Sequence, residues 1–153
     1  MANLNADNYA ASRVTEPASK IDVSLQHGRV RRMYDSITLG AEVALNDTIT
    51  AGVLPSGARV IDARFIAPSD GTTGQYDFGW LSNGTDAADQ DGFFAGASEL
   101  DTGGGAVDAK MLGTAAGYNK KFAAETTVQF LAVEATTASS GDLLQWEIEY
   151  IVD

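Results

Sequence analysis

The closing segment of the chain, residues 142–152, alternates between apolar and polar side chains more regularly than any other stretch. Its polar positions include Glu147 and Glu149, charges that would discourage edge-to-edge pairing of a terminal strand. This period of two residues predicts a β-strand with one face on a core and one in water. A chain that ends in such a strand needs a second layer to cover the apolar face. The predicted inward positions are Leu144, Trp146, Ile148, Tyr150 and Val152.

Several other segments also have side-chain patterns typical of β-strands. Residues 75–81 place Tyr76, Phe78 and Trp80 on one side, whereas residues 127–133 are apolar on both faces, which is typical of a central strand. Turn residues separate these segments, as expected for short strands. In residues 59–67 the predicted inward positions are Ile61, Ala63, Phe65 and Ala67. Two further β-branched segments are residues 35–39 and 47–51.

These segments predict the fold class. The chain of 153 residues has the size of one domain, and its 16 glycines suit a turn-rich protein. Because helices do not alternate regularly with the strands, residues 33–153 are expected to form an all-β, antiparallel β-sandwich, jelly-roll-like, with at most one or two short helices. Residues 83–122 are rich in glycine and hard to assign, although residues 85–90 could cap and begin one short helix.

Residues 1–32 differ from this body and are expected to form an extended basic arm. The first 34 residues carry five basic and three acidic side chains, a net +2, and the remaining 119 carry five basic and 18 acidic side chains, a net −13. Such an arm could anchor the acidic body to a partner through charge and through strand addition by its alternating segment at residues 21–25. The candidate anchoring residues are Arg13, Lys20, Ile21, Val23, Leu25, Arg29, Arg31 and Arg32.

Composition argues against several classes of protein. A net charge of −11 is unfavourable for nucleic-acid binding over most of the surface. The chain contains no cysteine, which leaves no disulfide framework and no cysteine-based zinc site. No apolar run is long enough for a transmembrane helix, and the first residues do not have the pattern of a secretory signal. We therefore expect no membrane or nucleic-acid partner and no cofactor.

Few residues suggest chemistry. His27, the single histidine, precedes Gly28 in the arm and is better interpreted as a surface residue than as a catalytic base. Asp89, Asp91 and Gly92 fit part of a calcium loop, but Ala87 and Ser98 stand where its first and last acidic ligands are needed. A looser calcium site of Asp86, Asp89 and Asp91 is left open, and no metal site is assigned. A calcium-dependent carbohydrate-binding or adhesive module is the alternative function, and a small hydrolase with paired carboxylates is a third. The aromatic residues that could form a sugar platform fit core positions better: Tyr76, Trp80 and Trp146.

Several stretches of the sequence, taken together, resemble the small structural proteins of tailed-bacteriophage virions. The resemblance lies in residues 26–32, 53–64, 74–80, 83–89, 122–126 and 149–153. It covers most of the chain from Gln26 onward as a pattern of turns and strands, and it contains no catalytic motif that can be carried over to these residues.

The resemblance implies a non-enzymatic capsid decoration or cement protein. Such a protein would be made in the host cytoplasm and located on the exterior of the virion, where it binds the major capsid protein in many copies. It would commonly be a trimer or a dimer that reinforces the shell against packaged DNA. A head-fibre or tail role is left open by the same resemblance.

Overall fold

A computed structural model describes residues 29–39, 43–67, 75–97, 107–111, 113, 115–134 and 143–152. In this part of the chain all regular structure is β-strand, and no helix is long and apolar enough to cross a membrane. The strands are β1 (Arg31–Thr38), β2 (Thr48–Leu54), β3 (Ala58–Ala67), β4 (Gln75–Trp80), β5 (Asp89–Ala97), β6 (Val107–Lys110), β7 (Thr126–Glu134) and β8 (Leu143–Val152).

The eight strands form two four-stranded antiparallel sheets. One sheet has the order β1-β8-β3-β6 and the other has the order β2-β7-β4-β5. The chain therefore passes repeatedly from one sheet to the other, and strands that follow one another in sequence mostly lie in opposite sheets. This arrangement of eight strands in two sheets is that of a jelly roll. The predicted all-β, jelly-roll-like sandwich is confirmed.

The core lies between the two sheets and is rich in aromatic rings. Phe130 of β7 stacks on Phe78 of the neighbouring strand with ring centroids 4.0 Å apart. Across the sandwich the Phe130 ring lies 4.8 Å from that of Phe65 on β3 and 5.5 Å from that of Trp146 on β8. The Trp146 indole N–H donates to the carbonyl oxygen of Ala51 at 2.9 Å, which satisfies its buried donor and joins β8 to β2.

Strand β8 confirms most of the predicted alternation. Leu144, Trp146 and Ile148 are buried, whereas Tyr150 and Val152 are only partly buried and pack against the edge of the core. Although its glutamates would suit an exposed edge, β8 lies in the middle of its sheet, between β1 and β3. Its glutamates therefore face the solvent from the middle of a sheet and have neighbours on both sides.

In β3 the predicted inward face is partly wrong. Ala58 and Val60 are buried, and after a register shift between Val60 and Asp62 the buried positions become Ala63 and Phe65. This β-bulge at Ile61 adds one residue to β3 opposite β8, so Ile61 is half-exposed rather than buried. A strict period of two cannot include such an extra residue. The burial of Ala67 lies outside what the structure describes.

The short helix expected over residues 85–90 is absent, because these residues form a turn that leads into β5. The Asn83 side-chain oxygen accepts hydrogen bonds from the backbone N–H groups of Thr85 at 2.9 Å and Asp86 at 2.6 Å. Such bonds from an asparagine to residues just ahead of it stabilise a turn in competition with a helix. The Trp80 indole then donates to the carbonyl oxygen of Ala87 at 2.9 Å and fixes the chain beside β4.

Candidate functional site

The structure describes part of the predicted anchoring arm. Residues 1–28 lie outside the described residues, so the structure does not place the candidate His27. The anchoring residues among them are Arg13, Lys20, Ile21, Val23 and Leu25. The three remaining anchoring residues, Arg29, Arg31 and Arg32, are described, and all three are exposed.

Two of these arginines belong to the sandwich. Strand β1 begins at Arg31, two residues before the predicted start of the body, and it pairs with β8 along its whole length. Arg31 lies opposite Tyr150, and Arg32 lies opposite Glu149. The basic cluster therefore lies where the N-terminal segment joins the edge strand of a sheet.

Arg32 is held on the outer face of its sheet. Its guanidinium forms an ion pair with Glu147 on β8 and lies 5.4 Å from the ring centroid of Tyr34. Glu147 also lies 3.8 Å from the guanidinium of Arg64 on β3, and Gln145 donates to the Tyr34 hydroxyl. With 58% of the Arg32 side chain exposed, the pair contributes at most about 1 kcal/mol. Arg32 therefore has partners within the body, which the sequence did not suggest.

Arg29 and Arg31 differ from Arg32. Both are exposed, and within the part of the chain that the structure describes neither forms an ion pair. Their charge is thus available to an acidic partner. Of the three clustered arginines, these two are the better candidates for recognition of another molecule.

The carboxylate of Asp86 holds two loops together. It accepts hydrogen bonds from the Asn83 amide at 2.9 Å and from the backbone N–H of Ala123 at 3.0 Å, and Lys120 Nζ lies 3.2 Å away. The Asn83 amide also donates to the Thr126 hydroxyl at 2.7 Å. These contacts, the Asn83 hydrogen bond foremost, lower the pKa of Asp86.

The residues of the possible calcium site, Asp86, Asp89 and Asp91, make contacts within the protein. Among the described residues, which include Asp86, Asp89 and Asp91, no group of three acidic or histidine side chains is arranged to hold a metal ion. Burial raises the pKa of Asp89, and a hydrogen bond with Asp91 adds to the effect. Because both oxygens of Asp86 already have donors within the protein, this loop acts as a structural connection.

The aromatic residues considered for sugar binding are part of the core. Tyr76, Trp80 and Trp146 have 0%, 2% and 3% of their surface exposed. A sugar platform requires an exposed ring face, so these three residues do not form one. Lys120 lies 5.3 Å from the Trp80 ring centroid and covers that ring on its outer side.

Comparison with known proteins gives a likeness in fold. No family model and no curated protein matches the sequence. Among solved structures, a chain of the capsid of Ralstonia phage GP4 aligns with a TM-score of 0.66 at 17% identity, covering 94% of each chain. A chain of the capsid asymmetric unit of cyanophage Pam1 aligns with a TM-score of 0.64 at 16% identity, covering 98% of this chain and all of the other.

A third structure is the acid-stable capsid of Helicobacter pylori bacteriophage KHP30. One of its chains aligns with a TM-score of 0.50 at 14% identity and covers 81% of this chain and 94% of its own length. At these identities the likeness establishes the fold. Chains of three different phage capsids thus resemble this protein in fold over most of their length.

Proposed function

We propose that this protein is a non-enzymatic structural protein of a bacteriophage virion, which decorates the exterior of the icosahedral capsid and stabilises the shell by binding the major capsid protein. The observation that carries the proposal is the near-complete coverage in both directions with chains from phage capsids. Because the alignments cover nearly all of this chain and of the two capsid chains, the likeness extends over the whole sandwich and is not limited to one shared motif.

The charge distribution supports the same role. The arm and its junction with β1 are basic, whereas the body is strongly acidic. A basic segment at one end would steer the protein onto an acidic patch of the shell and leave the acidic body in solvent. Each copy then needs only modest affinity if the copies are linked to one another, so we propose a homo-oligomer, a trimer or a dimer.

The calcium-dependent adhesive module has less support. It requires an open oxygen cage and exposed aromatic rings, whereas Asp86 has partners within the protein and the tryptophans are buried. A chelator that lowered the melting temperature would revive this alternative. A head-fibre or tail location is a separate question, which depends on where the protein lies on the particle.

The direct experiment is cryo-electron microscopy of virions that carry this chain. We expect sandwich-shaped density at repeated icosahedral positions on the outer surface, with residues 1–28 in contact with the shell. Density at a single vertex or on the tail would contradict the decoration role and favour an attachment role.

A binding experiment tests the arm separately. A chain that lacks residues 1–28 keeps all of β1 and its ion pair between Arg32 and Glu147, so we expect it to fold. It should no longer co-sediment with capsids from which the protein has been stripped. Circular dichroism would verify the fold of the truncated chain, and capsid binding at unchanged affinity would contradict the anchoring role of the arm.

A further inference from the structure

The turn between β4 and β5 contains the single Asn-Gly pair of the sequence, Asn83 and Gly84. In such a pair the glycine nitrogen attacks the side-chain amide carbon of the asparagine, because no side chain on the glycine obstructs the approach. The Gly84 nitrogen bonds to Cγ of Asn83 and gives up its proton, the Cγ–Nδ2 bond breaks, and Nδ2 leaves as ammonia. Water then opens the resulting succinimide ring to an aspartate or an isoaspartate, so the turn gains a negative charge.

The fold uses both residues of this pair. Gly84 has a backbone φ of 86°, a conformation that favours glycine over residues with a side chain. The Asn83 side-chain nitrogen donates to Asp86 Oδ2 at 2.9 Å and to Thr126 Oγ1 at 2.7 Å. An ionised aspartate at this position has no hydrogen to donate, so it could supply neither bond. The residues that shape the turn are therefore the residues that react.

The Gly84 nitrogen is accessible and weakly held. Gly84 and Thr85 are exposed, and a Cβ on Gly84 would meet no atom within 4 Å. Among the described residues, the acceptor for the Gly84 N–H is the Ser82 hydroxyl oxygen at 3.4 Å, a long distance for a hydrogen bond. Neither side-chain packing nor strand pairing therefore restrains the attacking atom.

The Asn83 carboxamide, by contrast, is held at both ends. Its Oδ1 accepts from the backbone N–H groups of Thr85 at 2.9 Å and Asp86 at 2.6 Å, in addition to the two bonds that Nδ2 donates. Ring closure carries Cγ to the Gly84 nitrogen and expels Nδ2, so the bonds from Nδ2 must break. The reaction therefore proceeds from an open form of the turn. Its rate is the rate in an unfolded chain multiplied by the open fraction.

We propose that Asn83 is a deamidation site of the folded protein, that its hydrogen bonds to Asp86 and Thr126 keep the reaction slow, and that the product prevents the turn from closing again. In the aspartate product a carboxylate oxygen replaces Nδ2 beside Asp86 Oδ2, and two negative charges so close together repel each other. In the isoaspartate product the backbone runs through the former side chain and is longer. Either product breaks the connection between this turn and the segment before β7. The inference does not depend on the proposed function, because it concerns the isolated chain.

Peptide mass spectrometry of the full-length chain, kept in mildly alkaline buffer with and without urea, measures the reaction at Asn83. We expect the folded chain to deamidate about tenfold or more slowly than the chain in urea, since several hydrogen bonds must open first. Thr126→Val removes one acceptor and keeps the branched shape, so it should raise the folded-chain rate about fivefold and leave the rate in urea unchanged. The control is Thr127→Val, because Thr127 lies on the opposite face of β7. The inference is overturned by equal rates with and without urea, by a folded chain that stays intact at Asn83, or by an unchanged rate in Thr126→Val.

Hydrogen exchange of the unchanged chain gives a second test if circular dichroism shows that Thr126→Val does not fold. Exchange of the Thr85 and Asp86 amides, which bond to Asn83 Oδ1, measures the open fraction of the turn. This fraction should match the ratio of the folded to the unfolded deamidation rate. A clear mismatch would show that opening of the turn does not control the reaction.

The effect of the product is tested by Asn83→Asp. We expect this variant to melt at a lower temperature than the unchanged chain at pH 7, because its carboxylate faces that of Asp86. Below the usual aspartate pKa of about 4, the protonated acid can donate a hydrogen bond as the amide does, so the difference in melting temperature should shrink. An unchanged melting temperature at pH 7 would overturn the claim that the product keeps the turn open.

Discussion

Single side chains decide how the loops of this sandwich are held. Asp86 connects the turn after β4 to the segment before β7 through Asn83, Lys120 and the N–H of Ala123. Its side chain is 15% exposed, so removal of the charge leaves donors that water satisfies only in part. Glu125, in the segment just before β7, has an exposed side chain.

Asp86→Asn should therefore lower the free energy of unfolding by about 1–3 kcal/mol, because an amide places a donor where three donors now converge. Urea denaturation at pH 7 would measure the loss. The control Glu125→Gln should change the free energy by no more than about 0.5 kcal/mol, as is usual for an exposed side chain. Equal losses in the two variants would contradict the role of Asp86 as a connection.

The same carboxylate predicts a dependence of stability on pH. The pKa of Asp86 is lower in the folded protein than in the unfolded chain, so its stabilising contribution is complete above the unfolded value and is lost as the pH falls through the folded value. Asp89 has a raised pKa in the folded protein and acts in the opposite direction, since its ionisation weakens the fold as the pH rises. We expect Asp89→Asn to raise the melting temperature at pH 7 but not at a pH below the unfolded pKa, as measured by calorimetry at both values.

At the scale of the strands, bulges and glycines shape the second sheet. Strands β4 and β5 pair with register shifts on both sides of Phe78. Gly79 of β4 allows the backbone of β5 to come close, because a Cβ at this position would lie 2.0 Å from the carbonyl oxygen of Asp89. A contact with backbone cannot be relieved by rotation of a side chain.

Gly79→Ala should therefore separate β4 from β5 and destabilise the protein by about 3 kcal/mol or more, the upper part of the range for overpacked sites. Gly113→Ala is the control, because a Cβ at Gly113 would meet no atom within 4 Å. Hydrogen exchange of the β5 amides would locate the change, and faster exchange confined to other strands would contradict this account.

The strands differ in how well the sequence predicts them. Residues 75–81, 127–133 and 142–152 alternate or are continuously apolar, and they correspond to β4, β7 and β8. The bulge at Ile61 could not be predicted, because an extra residue opposite its partner strand depends on tertiary pairing. Strand β5 was missed because its glycines and aspartates have low strand propensity, and pairing with β4 overrides that preference.

At the scale of the whole molecule, the sequence has a division of charge between a basic end before Tyr34 and an acidic remainder. Of the basic residues before Tyr34, the structure describes Arg29, Arg31 and Arg32, which lie just before the edge strand β1 or at its start. The sequence predicted this basic end but not the 37% exposure of Ile37, which has the core-facing parity of Met33 and stays exposed because β1 is an end strand. Net charge can be counted directly from the sequence. The position of a strand within its sheet depends on which strands pair, and the sequence of one strand does not reveal that.

The division predicts how capsid binding responds to charge reversal. Arg29→Glu and Lys121→Glu each change the net charge by the same two units, and both residues are exposed, but only Arg29 lies at the basic end. If the basic end steers the protein onto the shell, Arg29→Glu should weaken co-sedimentation several-fold near 50 mM salt, with a smaller effect at 1 M, where the Debye length is about 3 Å. Lys121→Glu should have little effect at either concentration. Equal weakening by both variants would show that total charge governs binding, and the arm would then have no special part in recognition of the shell.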